Sequence, residues 1–235
     1  NLIPLRALCL LLWLLGWPLS GAAATPQRII SLTPHLTELL YDIGAGDRIV
    51  ATDDASDFPP EVAPLPRVAN YRSINLEALL AQKPDLVVAW RSAQSRMLAP
   101  VEKLGIPVFY SEPTDFASLA DEMRSLGRLL GTRQKADQQA DAYLARLNAL
   151  KQRYGKPKPV SVFYQLWYPP LTSVNDSTWP GHAIRLCGGR NIMADASSPY
   201  PQVGLEQVIK ANPGLILAGS RDPAVLAHWR QWSML

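Results

Sequence analysis

Two segments of this chain repeat one another: "LEALLAQKPDLVVAW", Leu76 to Trp90, and "LEQVIKANPGLILAG", Leu205 to Gly219. Each reads Leu-Glu, apolar residues, a polar stretch, Pro, and an apolar run ending near Ala. Glu206 follows Glu77 by 129 positions. Each copy reads as a short helix, a turn and a buried strand, and a fold built from such units alternates helix with parallel strand.

The flanking pattern extends the repeat. From Arg28 the order is strand "RIISL", helix "PHLTELLYDIGAG", strand "RIVAT" and a Pro-rich loop from Asp53 to Asn70. Helix "NLEALLAQ", strand "DLVVAW", helix "SRMLAPVEKLG" and strand "PVFYS" follow. Gly44, Gly46 and Gly105 stand where helix C-caps are expected. From about Asp115 to Tyr154 the chain has no proline and is rich in Ala, Leu, Arg and Gln, which favours long helix, with Gly127 and Gly131 as points of bending or breakage. The first pattern then restarts: strand "VSVFYQ", helix "GHAIRLCGG", strand "NIMAD", helix "LEQVIKAN", strand "LILAG" and helix "AVLAHWRQW". The expected fold class is α/β, with two Rossmann-like lobes joined by a long rigid helix. The expected bounds are 25–114, 115–154 and 155–235. The first lobe closes with one more strand and helix than the second, so an incomplete C-terminal lobe is expected.

Residues 1–24 read as a leader. Arg6 precedes the apolar run "ALCLLLWLLGWPL", and Ala22 and Ala24 have the small-residue spacing of a cleavage site. A membrane span needs ~20 apolar residues, and this run is interrupted by Gly16 and Pro18. An exported protein is expected, with Cys187 as its one cysteine. In an oxidising compartment an odd cysteine is free or lacks its partner in the sequence at hand. The 235 residues are 48% hydrophobic and 18% charged, enough for a core, and the net charge of +3 shows no basic block, which argues against nucleic acid as a partner.

No motif of nucleophilic catalysis or phosphate binding occurs: there is no G-x-S-x-G, Walker A or G-x-G-x-x-G. His35, His182 and His228 are scattered rather than paired at metal-ligand spacing, and solvated or capping roles suit them better. The aromatics are more informative. Trp90 ends a strand, Trp167 and Tyr168 follow another, and Tyr71 and Tyr200 precede the two Leu-Glu helices. In open α/β sheets ligands sit beyond the carboxyl ends of the strands. Singly, each of these rings is as well explained by packing; as a set at matching positions they outline a cleft for a flat, partly apolar ligand. Glu77 and Glu206 are each explained by the positive end of a helix, an effect of ~0.3–1 kcal/mol. As a pair equivalent by repeat, they become two acidic knobs for a two-fold basic partner.

The motifs "SDFPP", "NLEALLAQKPDLVVAWR", "CGGRNI" and "YPQVGLEQV", from Arg28 to about Trp232, resemble the substrate-binding proteins of iron–siderophore, haem and cobalamin importers, and its cobalamin-binding members most. The resemblance implies a periplasmic monomer without enzymatic activity or cofactor. Such a protein captures cobalamin and delivers it to an inner-membrane ABC permease dimer. It implies permease docking by Glu77 and Glu206, and a disulfide through Cys187 whose partner lies beyond Leu235. It places Ala55, Tyr71, Trp90, Arg91, Trp167, Tyr168 and Tyr200 around the ligand. Ala55 stands where those members have Tyr, and Tyr71 and Tyr200 where they have Trp. Tyr71 keeps haem open, because a phenolate can ligate ferric haem iron. Arg72 and Arg91 are the residues available to an anionic ferric siderophore.

Overall fold

The computed structural model describes residues 24–155, 158–220, 225, 229 and 230. The leader up to residue 23, most of the expected helix "AVLAHWRQW", His228 and Trp232 lie outside these residues.

Two parallel sheets form the frame. The first has the order β3-β2-β1-β4-β5, from β1 (Ile29–Ser31), β2 (Ile49–Asp53), β3 (Arg67–Ala69), β4 (Leu86–Trp90) and β5 (Val108–Ser111). Its strands are apolar on both sides. Ile29, Leu86 and Val88 join one core with α1 (Pro34–Asp42), and the alternate residues Ile30, Val87 and Ala89 join a second core on the opposite face. That alternation is the period of two of a strand, and burial of both faces is why these runs lack polar breaks. The second face is covered by α2 (Leu76–Ala81) and α3 (Arg91–Lys103), through Leu79, Leu98 and Val101.

The stretch 115–154 is two helices rather than one. Helix α4 (Phe116–Leu129) starts with a reciprocal capping box between Asp115 and Ser118, and α5 (Arg133–Tyr154) follows after a sharp corner. Gly131 makes the corner, with φ +68, a conformation glycine adopts without steric cost. Gly127 does not break the helix; it lies buried inside α4. The long linking element is thus α5, whose 22 residues span about 33 Å at the usual helical rise.

The second sheet, β7-β6-β8, is built from β6 (Val160–Gln165), β7 (Gly189–Asn191) and β8 (Leu215–Ala218), with α6 (Trp179–Leu186) and α7 (Leu205–Ala211) as crossovers. The expected strand "NIMAD" is displaced: pairing covers Gly189–Asn191, and Asn191 then turns the chain by accepting the Met193 amide at 3.0 Å. The core of this lobe is centred on Phe163, fully buried, with Trp229 at 5.5 Å donating its indole N–H to Gln165 Oε1 at 2.6 Å.

The repeat holds at the level of the backbone. Leu79 and Val208, its equivalent, are both buried. Lys83 and Asn212, again 129 positions apart, are the two non-glycine residues with positive φ among those described. Each precedes a proline, and the following strands start at the equivalent residues Leu86 and Leu215.

Candidate functional site

The order of the first sheet reverses between β1 and β4, and the loops beyond the carboxyl ends of its strands surround a cavity of about 450 Å³. Ala55, Asn70, Tyr71, Trp90 and Gln94 are among its lining residues. Local hydrogen bonds hold each in place. The buried Gln94 side chain donates to Leu32 O and accepts the Trp90 amide, both at 2.9 Å, tying the ends of β1 and β4 together. Asn70 Oδ1 accepts the amides of Arg72 and Ser73 at 2.8 and 2.9 Å, a turn that leaves Tyr71 projecting, 84% exposed. The Arg72 guanidinium lies 4.9 Å from the Tyr71 ring centroid. Asp53 accepts from the Ser56 hydroxyl and the Ala55 amide, and the Ser56 hydroxyl also meets Thr37 Oγ1 at 2.9 Å.

The Pro-rich segment that reads as loop contains β3, because Arg67 ties it down. Its guanidinium donates to Thr52 Oγ1, to the carbonyls of Asp53 and Ser56 at 2.9 and 2.7 Å, and to Val62 O at 3.2 Å.

A second cavity, of about 350 Å³, lies between the lobes, lined by His35, Leu39, Trp90, Pro113, Leu119 and Trp179. Trp90 is a wall of both cavities. His35 meets Trp90 edge-on at 5.7 Å and its Nε2 is 3.3 Å from Ser111 Oγ. Burial pushes the imidazole pKa below its ordinary value, partly opposed by the Asp53 carboxylate. The His–Ser pair offers no nucleophile, since Ser111 is fully buried. The lobes also touch here. Trp179 packs on Phe116 at 5.4 Å, and His182 Nε2 lies 3.0 Å from Thr114 O. Arg185 donates to His182 Nδ1 at 2.6 Å and pairs with Asp176 at 2.8 Å. With Nδ1 accepting, Nε2 carries the proton and donates to Thr114.

The structure therefore gathers Ala55, Tyr71 and Trp90 around one cavity. Arg91 is engaged elsewhere, 3.7 Å from Glu112 and 4.8 Å over the Tyr110 ring, and lines neither cavity. Trp167, Tyr168 and Tyr200 are exposed on second-lobe loops and line neither cavity. Antiparallel bridges Trp167–Thr172 and Thr172–Gln202 hold these loops side by side. Glu77 and Glu206 are exposed in the first turns of α2 and α7. Cys187 caps α6 as an exposed free cysteine, and no disulfide forms among the described residues, so the disulfide implied by the resemblance is unsupported. Sequence reasoning missed His35, Gln94, Pro113, Leu119 and Trp179 as lining residues. Trp179, which heads a helix straight after a strand-end loop, was the one readable signal. Among the described residues no group of three or more His, Cys, Asp or Glu could hold a metal ion.

Two α/β lobes of parallel sheet with an aromatic-walled cleft define a receptor that holds a ligand. The chain belongs to the periplasmic binding protein family, whose family model matches residues 29–231. It is 36% identical to the vitamin B12-binding protein of Vibrio campbellii, over 97% of this chain and 83% of that protein. It is 38% identical to that of Yersinia pseudotuberculosis, over 97% and 81%. The crystal structure of the periplasmic vitamin B12 binding protein of Vibrio cholerae superposes with a TM-score of 0.77 at 36% identity, covering 89% of this chain and 83% of that one. The periplasmic heme binding protein of Vibrio cholerae, at 24% identity and a TM-score of 0.78, shares the fold.

Proposed function

We propose that this protein is a periplasmic receptor that holds cobalamin between its lobes and delivers it to an inner-membrane ABC permease. The observation that carries the reading is the position of Trp90. It stands at the switch point of the first sheet, lines one cavity with Tyr71, and is shared by that cavity of the first lobe and the cavity between the lobes. A corrin is a broad, flat macrocycle edged with neutral amides. Aromatic walls with Asn70 and Gln94 beside them match that chemistry. The relatives named for vitamin B12 support the same ligand.

On this reading the lobes 25–114 and 155–235 are the two jaws, 115–154 sets their spacing, and residues 1–24 export the chain and are removed. Tyr168, Trp167 and Tyr200 close on the ligand from the second lobe, Ala55 and Arg91 border it, and Glu77 and Glu206 dock the two lobes on a permease dimer. The receptor acts as a monomer and performs no catalysis.

Titration with cyanocobalamin, followed by tryptophan fluorescence, tests this. Saturable quenching is expected, with affinity at least ~10-fold weaker in Trp90→Ala, since a buried aromatic contact contributes about 1.5–3 kcal/mol. No cobalamin binding, with haemin binding that depends on the Tyr71 hydroxyl, would overturn the reading.

A further inference from the structure

We infer that His182 and Arg185 of the second lobe form a latch on Thr114 of the first, and that the lobes part by breaking it. Helix α4 belongs to the first lobe, whose core it joins through Ala120, Met123 and Leu126. Helix α6 belongs to the second, with Ile184 buried. The two helix starts meet edge-on: the Phe116 ring lies 5.4 Å from Trp179 and 6.1 Å from His182. Each lobe fixes its own half of the contact. Ser118 Oγ accepts the amides of Thr114 and Asp115, both at 2.9 Å, and the Asp115 amide belongs to the same peptide unit as Thr114 O. The capping box of α4 therefore aims that carbonyl.

In the second lobe Asp176 clamps Arg185, accepting from it through the carboxylate at 2.8 Å and the backbone carbonyl at 3.1 Å. The loop bearing Asp176 lies this close to α6 because residue 181 is glycine. A Cβ there would stand 2.3 Å from Asn175 O and 2.8 Å from Asp176 Cα. Arg185 in turn donates to His182 Nδ1 at 2.6 Å. A guanidinium has no acceptor to offer, so Nδ1 presents its lone pair and Nε2 carries the proton that Thr114 O accepts at 3.0 Å. Arg185 is thus a positioning residue: it holds His182 in the one tautomer that can reach across to the other lobe. The strength suits a contact that has to break. His182 is half-buried and the Arg185 side chain is 47% exposed. One hydrogen bond backed by an exposed ion pair biases a two-state equilibrium without locking it.

Spin labels at Lys103→Cys on α3 and Lys210→Cys on α7, both exposed, with the two native cysteines replaced by Ser, report the distance between the lobes by double electron–electron resonance. The whole chain is used without ligand, so the outcome is independent of the cobalamin reading, which its own titration tests. His182→Leu should raise the population at longer distance about 5-fold, the worth of one net hydrogen bond. His182→Gln, whose side-chain amide can donate from the place of Nε2, should keep the wild-type distribution. Arg185→Met should raise the longer-distance population about 3-fold where His182 is present. In a His182→Leu background it should add nothing, because it acts through the imidazole. An unchanged distance in His182→Leu, a His182→Gln protein as open as His182→Leu, or an equal effect of Arg185→Met in both backgrounds overturns the inference.

Discussion

Gly127→Ala should destabilise this protein, against the usual direction of the change. In an exposed helix interior, Ala in place of Gly stabilises by roughly 0.5–1 kcal/mol. Here a Cβ added at Gly127 would lie 2.2 Å from Ala136 Cβ across the α4–α5 packing, with Arg133 Cα at 3.5 Å and Thr132 O at 3.6 Å. Carbon atoms settle at ~3.5–4.0 Å, so the helices must part by more than an ångström. Both atoms are fixed to backbone, and no side-chain rotation relieves the overlap. Overpacking of this kind costs about 1–3 kcal/mol. Offset by the propensity gain, the net loss should be about 1–2 kcal/mol, a fall in Tm of about 2–8 °C for a chain of this size. Ala136→Gly alone should also destabilise. Combined with Gly127→Ala it removes the colliding methyl, so the pair should show favourable coupling of about 1–2 kcal/mol in a double-mutant cycle. Urea unfolding followed by circular dichroism gives all four values. A Gly127→Ala protein as stable as the wild type, or more so, would refute the close-approach argument.

Phe163→Ala should cost about 3–5 kcal/mol in the same assay, because Phe163 is fully buried against Trp229 and its loss leaves a cavity. Burial pushes the Glu122 carboxyl pKa up, opposed by the Ser111 hydroxyl and the Glu112 backbone, and its Oε1 has no hydrogen-bond partner. The folded protein thus holds this proton more tightly than the unfolded chain, so stability is full below the unfolded value of about 4.3 and falls as pH rises through the raised folded value. Glu122→Gln should therefore be more stable than wild type near neutral pH, with the advantage shrinking in acid; a pH series of urea midpoints checks it. Glu77→Ala with Glu206→Ala should leave cyanocobalamin affinity unchanged and weaken association with permease in proteoliposomes. Unchanged association would return both carboxylates to the role of helix-end residues.

What could be read from the chain follows the range of the forces involved. The Leu-Glu units were readable because each is local: a helix start, a turn at proline and an apolar strand, all within 15 residues, although only the first of these strands is buried and β8 leaves Leu215 and Leu217 exposed. The same holds for Tyr71, Trp90 and Ala55, since the carboxyl ends of parallel strands of one sheet necessarily converge. The strand β3 was missed because three residues carry too little pattern, and its support is the side chain of Arg67 reaching four oxygens along the neighbouring segment. Gly127 and Gly131 look alike in sequence. One needs a positive φ and the other needs room for Ala136, and only the packing of α4 on α5 separates them. Arg91 follows Trp90 directly but lines neither cavity; it lies against Tyr110 on β5 and Glu112 just beyond it. His35 and Trp179 mark the boundary of local inference. They share a cavity only because Thr114 and Phe116 of one lobe meet His182 and Trp179 of the other, a juxtaposition set by α5 and invisible to any short window. The walls that one lobe alone gives a cavity, such as Ala55, Tyr71 and Trp90, are therefore legible from that lobe's own segments, while the part of the cleft that depends on how the lobes meet is a property of the linking helix.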